Sequence, residues 1–509
     1  MKKKKLLALF GAALLVFGTV CGCGNAAGSA PKIESGQEES ADKEEAAKEE
    51  ADDTGAPQED SDGAGADSAV AARKGQSFAQ AHDAFKTTLV REENDDYEIP
   101  APPEGLFDLV SYPSKVGDLA AYVSSDPQDG QKHPMIIWVV GGWGNGIDDF
   151  PWCYPEWDND QTGSAFWQNG ILTMYPSFRG GCNNPGYYEA LFGEVDDIVS
   201  AYEYAASLPY VDTNRIYLGG HSTGGTRALL AAEYSDKFRA VFCFGAVDEV
   251  KYHNNSQFTF DTENEEEFIM RSPVYWLDNV KNPTFLIEGS EGNAVNLKNI
   301  QRASENENIN CYIVEGADHF SVLAPVTRLV AEKILEDTGS KASITITQEE
   351  LDAAMNQEPS VWLPAMTQHT VEDLGMTFSC PYIWDVSDTS GQDGFELTAY
   401  SRYEEDNAWD MAALYITADR IDQESYLQDF GEYLTSMGYA AEETQINGLP
   451  AIDAVGMQEN EDGSFFNNHY VLIQKDDTYI GFDFYIHESY GTGADAIFQA
   501  ILDSVSFEP

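Results

Sequence analysis

The sequence predicts an α/β domain with a mostly parallel, doubly wound sheet, followed by a smaller α+β domain. In the first part of the chain, apolar runs alternate with helix-like segments, and most of the runs are continuously apolar. Continuously apolar strands are typical of a parallel sheet covered on both faces, and the alternation implies right-handed crossovers. After about residue 340, stretches of period two and a probable hairpin replace this pattern.

The elements of the first domain follow from these runs. Strands are predicted at 106–114, 119–126, 135–140, 171–176, 215–220, 240–247, 283–289 and 311–316. Helices are predicted at 194–208, 225–235 and 325–339. Gly339 stands where a glycine is expected just after a helix, so the domain is predicted over 77–340.

The composition limits the choice of partners. The chain has 509 residues, 87 acidic and 29 basic, with a formal charge of −58. Its length allows two or three domains, and such a surface repels phosphate backbones, so nucleic acid is excluded as a partner.

The first residues predict export and attachment to a membrane. A lysine-rich start, a short apolar stretch and small residues before Cys23 resemble a bacterial lipoprotein signal over 1–23. Cys23 is then the lipidated first residue, and the protein lies on the extracytoplasmic face of a bacterial membrane. Cys21 fits the pattern less well, and the alternative is an ordinary signal peptide with a coincidental cysteine. Residues 24–76 are acidic with almost no large apolar side chain, which predicts a disordered tether.

A serine flanked by glycines marks the candidate nucleophile. Gly220-His221-Ser222-Thr223-Gly224 follows a predicted strand and opens a helix of small residues. This is the context of a nucleophile elbow, in which the helix N-terminus, including the amide of Thr223, faces a developing oxyanion. The alternative is a glycine-rich turn.

Two further segments supply the partners that a serine nucleophile needs. His319 lies just past the last predicted strand, and the order serine before histidine is that of α/β hydrolases. The strand at 135–140 runs into Gly141-Gly142-Trp143-Gly144, which predicts a second oxyanion amide at Gly142 or Trp143. A flexible glycine turn is the alternative for that loop.

Residues 175–225, 272–289 and 315–320 together resemble the catalytic domain of prolyl oligopeptidase and dienelactone-hydrolase-like serine hydrolases. The resemblance covers about residues 100–338 and implies the α/β-hydrolase fold, Ser222 as nucleophile and His319 as base. It also implies the loop around Gly142 and Trp143, with Thr223, as oxyanion hole. Arg179 corresponds to the arginine of the family's arginine–glycine segment.

The third member of the triad departs from the family pattern. Where the family has its aspartate, this chain has Gly292, in Glu288-Gly289-Ser290-Glu291-Gly292. Asp248, at the end of another strand, is slightly preferred as the orienting acid. Glu288 and Glu291 are the alternatives, and a serine–histidine dyad also remains open.

A connector at 341–360 leads to the second domain at 361–509. A hairpin is predicted in it at 469–474 and 479–486. Residues 376–384, 446–451, 479–486 and 501–507 resemble the PsbP-like α+β sandwich of secreted and lipoprotein chains. Tyr470, Tyr479, Phe482 and Phe484 are interpreted as core residues, and the domain as an accessory module that binds an unidentified ligand or partner.

The sequence thus predicts a membrane-tethered serine hydrolase that cleaves a small-molecule ester or peptide through an acyl-enzyme. The alternative is a degenerate hydrolase fold that serves as a binding lipoprotein. No cofactor or metal motif is present, and the five cysteines that follow the predicted signal, without tight spacing, predict no zinc site. Pairing of Cys153 with Cys182 is left open. Trp143, Trp152, Trp157 and Trp167 either line a substrate pocket or pack a loop.

Overall fold

The computed structural model describes residues 70–152, 159–253, 255–357 and 365–507, with gaps at 383, 389–394, 401–411, 424, 460–464 and 488–493. The described residues divide into two compact units, with the boundary between Ser360 and Val361. The predicted signal, Cys23, Cys153 and Trp157 lie outside the described residues. Part of the predicted tether is folded, because Arg73 donates a hydrogen bond of 2.5 Å to Glu266.

A sheet of eight strands forms the centre of the first unit. The strands are β1 (Phe107–Pro113), β2 (Asp118–Ser124), β3 (His133–Val139), β4 (Leu172–Pro176), β5 (Val211–His221), β6 (Val241–Phe244), β7 (Thr284–Gly289) and β8 (Ile309–Val314). Their order is β1-β2-β4-β3-β5-β6-β7-β8. β2 is antiparallel to β1 and β4, and the other neighbours are parallel. This confirms the predicted α/β-hydrolase fold.

Helices cover both faces of this sheet, which explains why β4, β6 and β7 are buried along their whole length. The helices are α1 (Phe78–Ala84), α2 (Ser164–Gln168), α3 (Glu194–Ser207), α4 (Thr223–Tyr234), α5 (Glu265–Ile269), α6 (Ala294–Ala303), α7 (Leu323–Glu336) and α8 (Gln348–Met355). The three predicted helices correspond to α3, α4 and α7. The short α2 and α5, and also α1, α6 and α8, were not identified from the sequence.

The second unit is antiparallel. Its strands are β9 (Met366–Val371), β10 (Met376–Pro381), β11 (Asp385–Asp388), β12 (Phe395–Tyr400), β13 (Ala412–Arg420), β14 (Ala440–Ile446), β15 (Leu449–Glu459), β16 (Phe465–Lys475), β17 (Thr478–His487) and β18 (Ser506–Phe507). They form a sheet of three, β18-β10-β9, and a sheet of seven, β11-β12-β13-β17-β16-β15-β14. The helices are α9 (Tyr426–Ser436) and α10 (Ala494–Ser504).

The predicted hairpin is β16 and β17, which pair from Phe466 with His487 to Lys475 with Thr478. Asp476 takes a positive φ of 55° in the turn between them. α9 packs Phe430 and Leu434 against Tyr470 and Leu472 of the sheet. The four aromatic residues interpreted as core residues are all buried: Tyr470, Tyr479, Phe482 and Phe484.

Among the described residues, no helix combines the length and the apolar character needed to cross a membrane.

Candidate active site

Ser222 lies on a sharp turn between β5 and α4. Its backbone has φ 57° and ψ −122°, a conformation that a non-glycine residue rarely adopts. The Ser222 amide donates to the Phe244 carbonyl at 2.8 Å, and its carbonyl accepts from the Thr226 amide at 3.0 Å. These two hydrogen bonds fix the strained turn to β6 on one side and to α4 on the other. Ser222 also lines an open cavity, so the hydroxyl side of the turn is accessible.

Close packing explains the glycines of this motif. A Cβ atom on Gly224 would lie 2.1 Å from the Val139 carbonyl oxygen, and one on Gly220 would lie 2.6 Å from the Gly224 oxygen. The start of α4 therefore contacts the backbone of β3 directly. Larger residues at these positions would push the helix away and remove the turn that presents Ser222.

The predicted oxyanion loop lies beside this turn. An ideal Cβ on Gly141 would be 3.3 Å from the Ser222 Cβ atom. The Thr223 hydroxyl donates to the Gly142 carbonyl at 2.5 Å, which ties the loop to the start of α4. As the first residue of the helix, Thr223 has an amide without an intrahelical acceptor. Trp143 and Thr223 line the same cavity as Ser222.

His319 lies on the loop between β8 and α7, with its ring next to a buried carboxylate. The distance from His319 Nδ1 to Glu288 Oε2 is 2.8 Å, and the Glu288 side chain is fully buried in β7. Glu288 Oε1 accepts from the Gly289 amide at 2.8 Å. A carboxylate in this position fixes the tautomer with a proton on Nδ1, which leaves Nε2 free to act as a base.

Two glycines leave the space that the Glu288 side chain occupies. A Cβ on Gly292 would lie 2.4 Å from Glu288 Oε1, and one on Gly245 would lie 3.0 Å from Glu288 Oε2 and 2.3 Å from His319 Cε1. Gly292 stands where the resembling family has its aspartate. The longer Glu288 side chain, four residues earlier, thus places its carboxylate in the space that a side chain at 292 would enter.

The structure corrects the preference for Asp248. Asp248 Oδ2 accepts a hydrogen bond of 2.8 Å from Asn299, and burial raises the pKa of this carboxyl. Glu291 is exposed, and its amide donates to Ala317 at 2.9 Å. Of the three candidates, Glu288 is the one in hydrogen-bond contact with the His319 ring. The order of preference failed because the strand predicted at 240–247 leads directly into Asp248, whereas β6 ends at Phe244 and Glu288 lies within β7.

His221 connects the serine turn to the His319 loop, a role that the sequence did not reveal. Its ring is fully buried, and its Nε2 donates to the His319 carbonyl at 3.1 Å. The two ring centroids are 4.5 Å apart. Burial and the nearby His319 lower the pKa of His221 well below its usual value, so this ring is neutral at pH 7. The residue next to Ser222 therefore holds the loop that carries His319.

Arg179 lies in the core and away from the cavity lining. Its guanidinium forms two bonds of 2.9 Å with the Asp197 carboxylate and one of 2.6 Å with Glu189. Paired charges of this kind fix the segment that follows β4 against the start of α3. In this chain the arginine of the arginine–glycine segment is a structural residue.

The cavity next to Ser222 has about 330 Å³ of space, including its open mouth. Its lining residues are Trp143, Leu191, Ser222, Thr223, Thr226, Val247, Val250, His253 and Asn293. Trp152 and Trp167 instead pack on Phe107, with ring centroids 6.0 and 6.1 Å away. Of the described tryptophans in the predicted cluster, one lines the cavity and two pack a loop. Cys182 is a free, buried thiol.

Residues 158–323 match the profile of the prolyl oligopeptidase family. This stretch is about a third of the chain and contains Ser222, Glu288 and His319. The match confirms the predicted resemblance to that family for this part of the chain and supports a serine peptidase or esterase domain. The resemblances to dienelactone hydrolases and to the PsbP-like module, and the lipoprotein signal, stay predictions.

Solved structures with similar folds include a puromycin-hydrolyzing peptidase of Mycobacterium tuberculosis, 19% identical, covering 45% of this chain and 39% of that one with a TM-score of 0.38. Dipeptidyl peptidase 4 of Porphyromonas gingivalis is 17% identical, and the match covers 45% of this chain and 35% of the peptidase with a TM-score of 0.38. An esterase of Pyrococcus furiosus is 15% identical, and the match covers 48% of this chain and 97% of the esterase with a TM-score of 0.38. The chain therefore spans less than half the length of the two peptidases. The chain has no significant match among curated protein sequences.

Proposed function

We propose that this protein is a serine hydrolase that cleaves an ester or amide bond through an acyl-enzyme at Ser222. The observation that carries the proposal is the 2.8 Å contact between Glu288 and His319, on a loop that His221 joins to the serine turn. A strained serine turn alone is compatible with a structural role. A histidine held in one tautomer, on a loop bonded to the residue next to the serine, supports the arrangement that activates a serine hydroxyl.

The residues divide the reaction between them. Ser222 Oγ attacks the carbonyl carbon while His319 Nε2 takes its proton, and Glu288 stabilises the resulting imidazolium. The negative oxygen of the tetrahedral intermediate accepts hydrogen bonds from the Thr223 amide and from the amide of Gly142 or Trp143. His319 then protonates the leaving group, and water attacks the acyl-enzyme by the same path in reverse.

The alternative of a degenerate binding protein depends on the absence of an orienting acid. The contact between Glu288 and the His319 ring argues against that alternative. The mixed lining of the cavity, apolar at Leu191, Val247 and Val250 and polar at Thr226, suits a small acyl group or side chain next to the scissile bond.

Labelling with a fluorophosphonate tests the nucleophile. We expect the wild-type protein to be labelled and Ser222→Ala to remain unlabelled, while Ser235→Ala, just past the end of α4, serves as the matched control and is labelled like the wild type. An unlabelled wild type, or labelling that persists in Ser222→Ala, would overturn the proposal. Turnover of p-nitrophenyl esters and peptide p-nitroanilides then separates esterase from peptidase activity.

We further propose that Cys23 is lipidated and tethers the enzyme to the extracytoplasmic face of a membrane. Support comes from the signal-like sequence and from the acidic, apolar-poor stretch that follows it. In a bacterial host, Cys23→Ala should move the protein from the detergent phase to the aqueous phase, whereas Cys21→Ala should not. Equal partitioning of the two variants would contradict the assignment. The second unit is proposed as an accessory module that binds a ligand or partner.

A further inference from the structure

A histidine and two carboxylates outside the active site come together on the surface of the first unit. One ring nitrogen of His82 and one oxygen each of Asp83 and Asp196 all lie within 4.8 Å of one another. His82 and Asp83 belong to α1, and Asp196 lies in the first turn of α3. Because more than a hundred residues separate these helices, the sequence shows no metal motif.

The hydrogen bonds of His82 determine which nitrogen has a lone pair. Nε2 lies 3.0 Å from the Phe192 carbonyl, which can only accept, so Nε2 carries the proton. Nδ1 then has the lone pair, and this atom is buried with no hydrogen-bond partner among the described residues. The whole residue is only 3% exposed. A histidine that donates one N–H to a backbone carbonyl while its other nitrogen is free has the orientation typical of metal-ligating histidines.

Acceptors outnumber cations in this cluster. The Nδ1 lone pair and the two carboxylates are all acceptors, and the positive group that contacts the carboxylates is the Lys115 ammonium, 2.7 Å from Asp196 and 3.4 Å from Asp83. The Lys115 side chain is 56% exposed and can turn into solvent. Asp83 also accepts from the Tyr234 hydroxyl at 2.9 Å, which orients its carboxylate.

We propose that His82, Asp83 and Asp196 bind a divalent transition-metal ion of the Zn²⁺ type, in competition with the Lys115 ammonium. One imidazole and two carboxylates are a donor set that suits Zn²⁺, and a fourth position is left for water. Ligand atoms on a tetrahedral Zn²⁺ ion are about 3.4 Å apart, given bonds of about 2.1 Å. Closing the cluster from 4.8 Å to that spacing requires a rotation of the exposed Asp83 side chain and the displacement of Lys115.

The bound ion would join α1 to the start of α3. α1 is the first regular helix after the predicted tether, and His82 is stacked on Phe192 with ring centroids 4.1 Å apart. Because the ion binds the folded state, it should raise the unfolding temperature of this unit. The inference is independent of the chemistry proposed at Ser222.

Calorimetric titration of the chelator-treated full-length protein with Zn²⁺, in excess Mg²⁺ to occupy the acidic surface, tests the site. We expect one saturable Zn²⁺ per chain and an unfolding temperature that rises with occupancy. Asp83→Asn and Asp196→Asn should each weaken binding by about tenfold or more, in line with the loss of a ligand. Lys115→Gln should tighten it by about tenfold, because a positive charge beside the ion is removed.

The matched control is Asp129→Asn, which alters another histidine–carboxylate pair, His133 with Asp129 at 3.1 Å. This variant should bind Zn²⁺ like the wild type. His82 is buried among aromatic rings, so His82→Gln is informative only if it folds, and the two aspartate variants decide the test. Absence of saturable binding, or equal affinities in Asp83→Asn, Asp196→Asn and Asp129→Asn, would overturn the proposal.

Discussion

The two compact units both pair a histidine with a carboxylate, but in different surroundings. In the first unit, His319 contacts Glu288 at 2.8 Å, and Glu288 lies at the carboxyl end of a parallel strand. In the second, His469 contacts Asp453 at 2.6 Å, and the two residues lie on the adjacent antiparallel strands β16 and β15. The pair is thus a common structural device. A catalytic proposal requires the serine turn and free amides that parallel strand ends collect in one place.

Buried acids in the two units also include pairs with different kinds of partner. In the first, Asp197 and Glu267 are paired with Arg179 and Arg271. In the second, Asp483 accepts from the uncharged Asn468 at 2.6 Å and Tyr485 at 3.1 Å. Burial raises the pKa of Asp483 to about 7. Asp197 and Glu267 thus each face a cation, whereas Asp483, like Asp248 of the first unit, is buried against uncharged donors, and burial raises the pKa of both carboxyls.

The largest expected effect comes from removing the charge at Glu288. Glu288→Gln retains the size of the side chain but favours the wrong tautomer of His319, so we expect kcat to fall by about 10⁴-fold. Asp453→Asn, the equivalent change in the second unit, should leave kcat unchanged. Ester hydrolysis by the purified variants measures both. Equal effects of the two changes would contradict the proposal that the pair of His319 with Glu288 is catalytic and the pair of His469 with Asp453 is not.

The next effect concerns Asp483 and the stability of the second unit. The folded pKa of about 7 lies above the unfolded value of 3.8, so the stabilising contribution is complete below about pH 4 and is lost as pH rises through 7. A shift of about three units corresponds to about 4 kcal/mol. Hydrogen exchange in β16 and β17 should therefore be faster at pH 8 than at pH 5 after correction for intrinsic rates. Asp483→Asn should abolish this difference, and Asp476→Asn in the hairpin turn should preserve it.

A smaller effect is expected from moving the carboxylate from position 288 to position 292. In Glu288→Ala, adding Gly292→Asp returns a carboxylate to the site where the resembling family has one. Two of the three atoms closest to a Cβ at 292 belong to Glu288, and the remaining one is the His319 amide nitrogen at 2.8 Å. After a small shift of that loop, we expect kcat to recover by about tenfold, or 1.4 kcal/mol, over Glu288→Ala alone. No recovery would mean that the space at 292 does not accept the acid.

An effect of similar size is expected at His221, which acts through the His319 loop. His221→Asn removes the donor to the His319 carbonyl, and we expect kcat to fall about tenfold with KM unchanged. His221→Gln has a longer amide that can restore the bond, so it should regain most of the activity. A pH–rate profile that keeps its acidic limb in both variants would confirm that His221 is not the titrating base.

Much of the first unit could be predicted, because the apolar runs correspond closely to the eight strands. Ser222 and His319 were recognised from glycines and chain order, which are local signals. The acid was not, since the apolar run before Asp248 predicts a strand to 247 that in the structure ends at Phe244, whereas Glu288 lies within β7. His82 and Asp196 are brought together by packing of α1 on the domain, which no spacing indicates. β9, β12, β14 and β15 were not identified because antiparallel strands with a polar face are less distinct in sequence.

The helix α8 has a consequence for any shortened form of this protein. The hydroxyl of Tyr312 on β8 donates to the Ile346 carbonyl at 2.5 Å, and Lys333 pairs with Glu350. The segment predicted as a connector thus lies along β8, the last strand of the sheet of eight. A chain cut at residue 340 would leave the backbone edge of β8 open to pairing with other molecules. An isolated catalytic unit that stays monodisperse at high concentration should therefore extend past Met355.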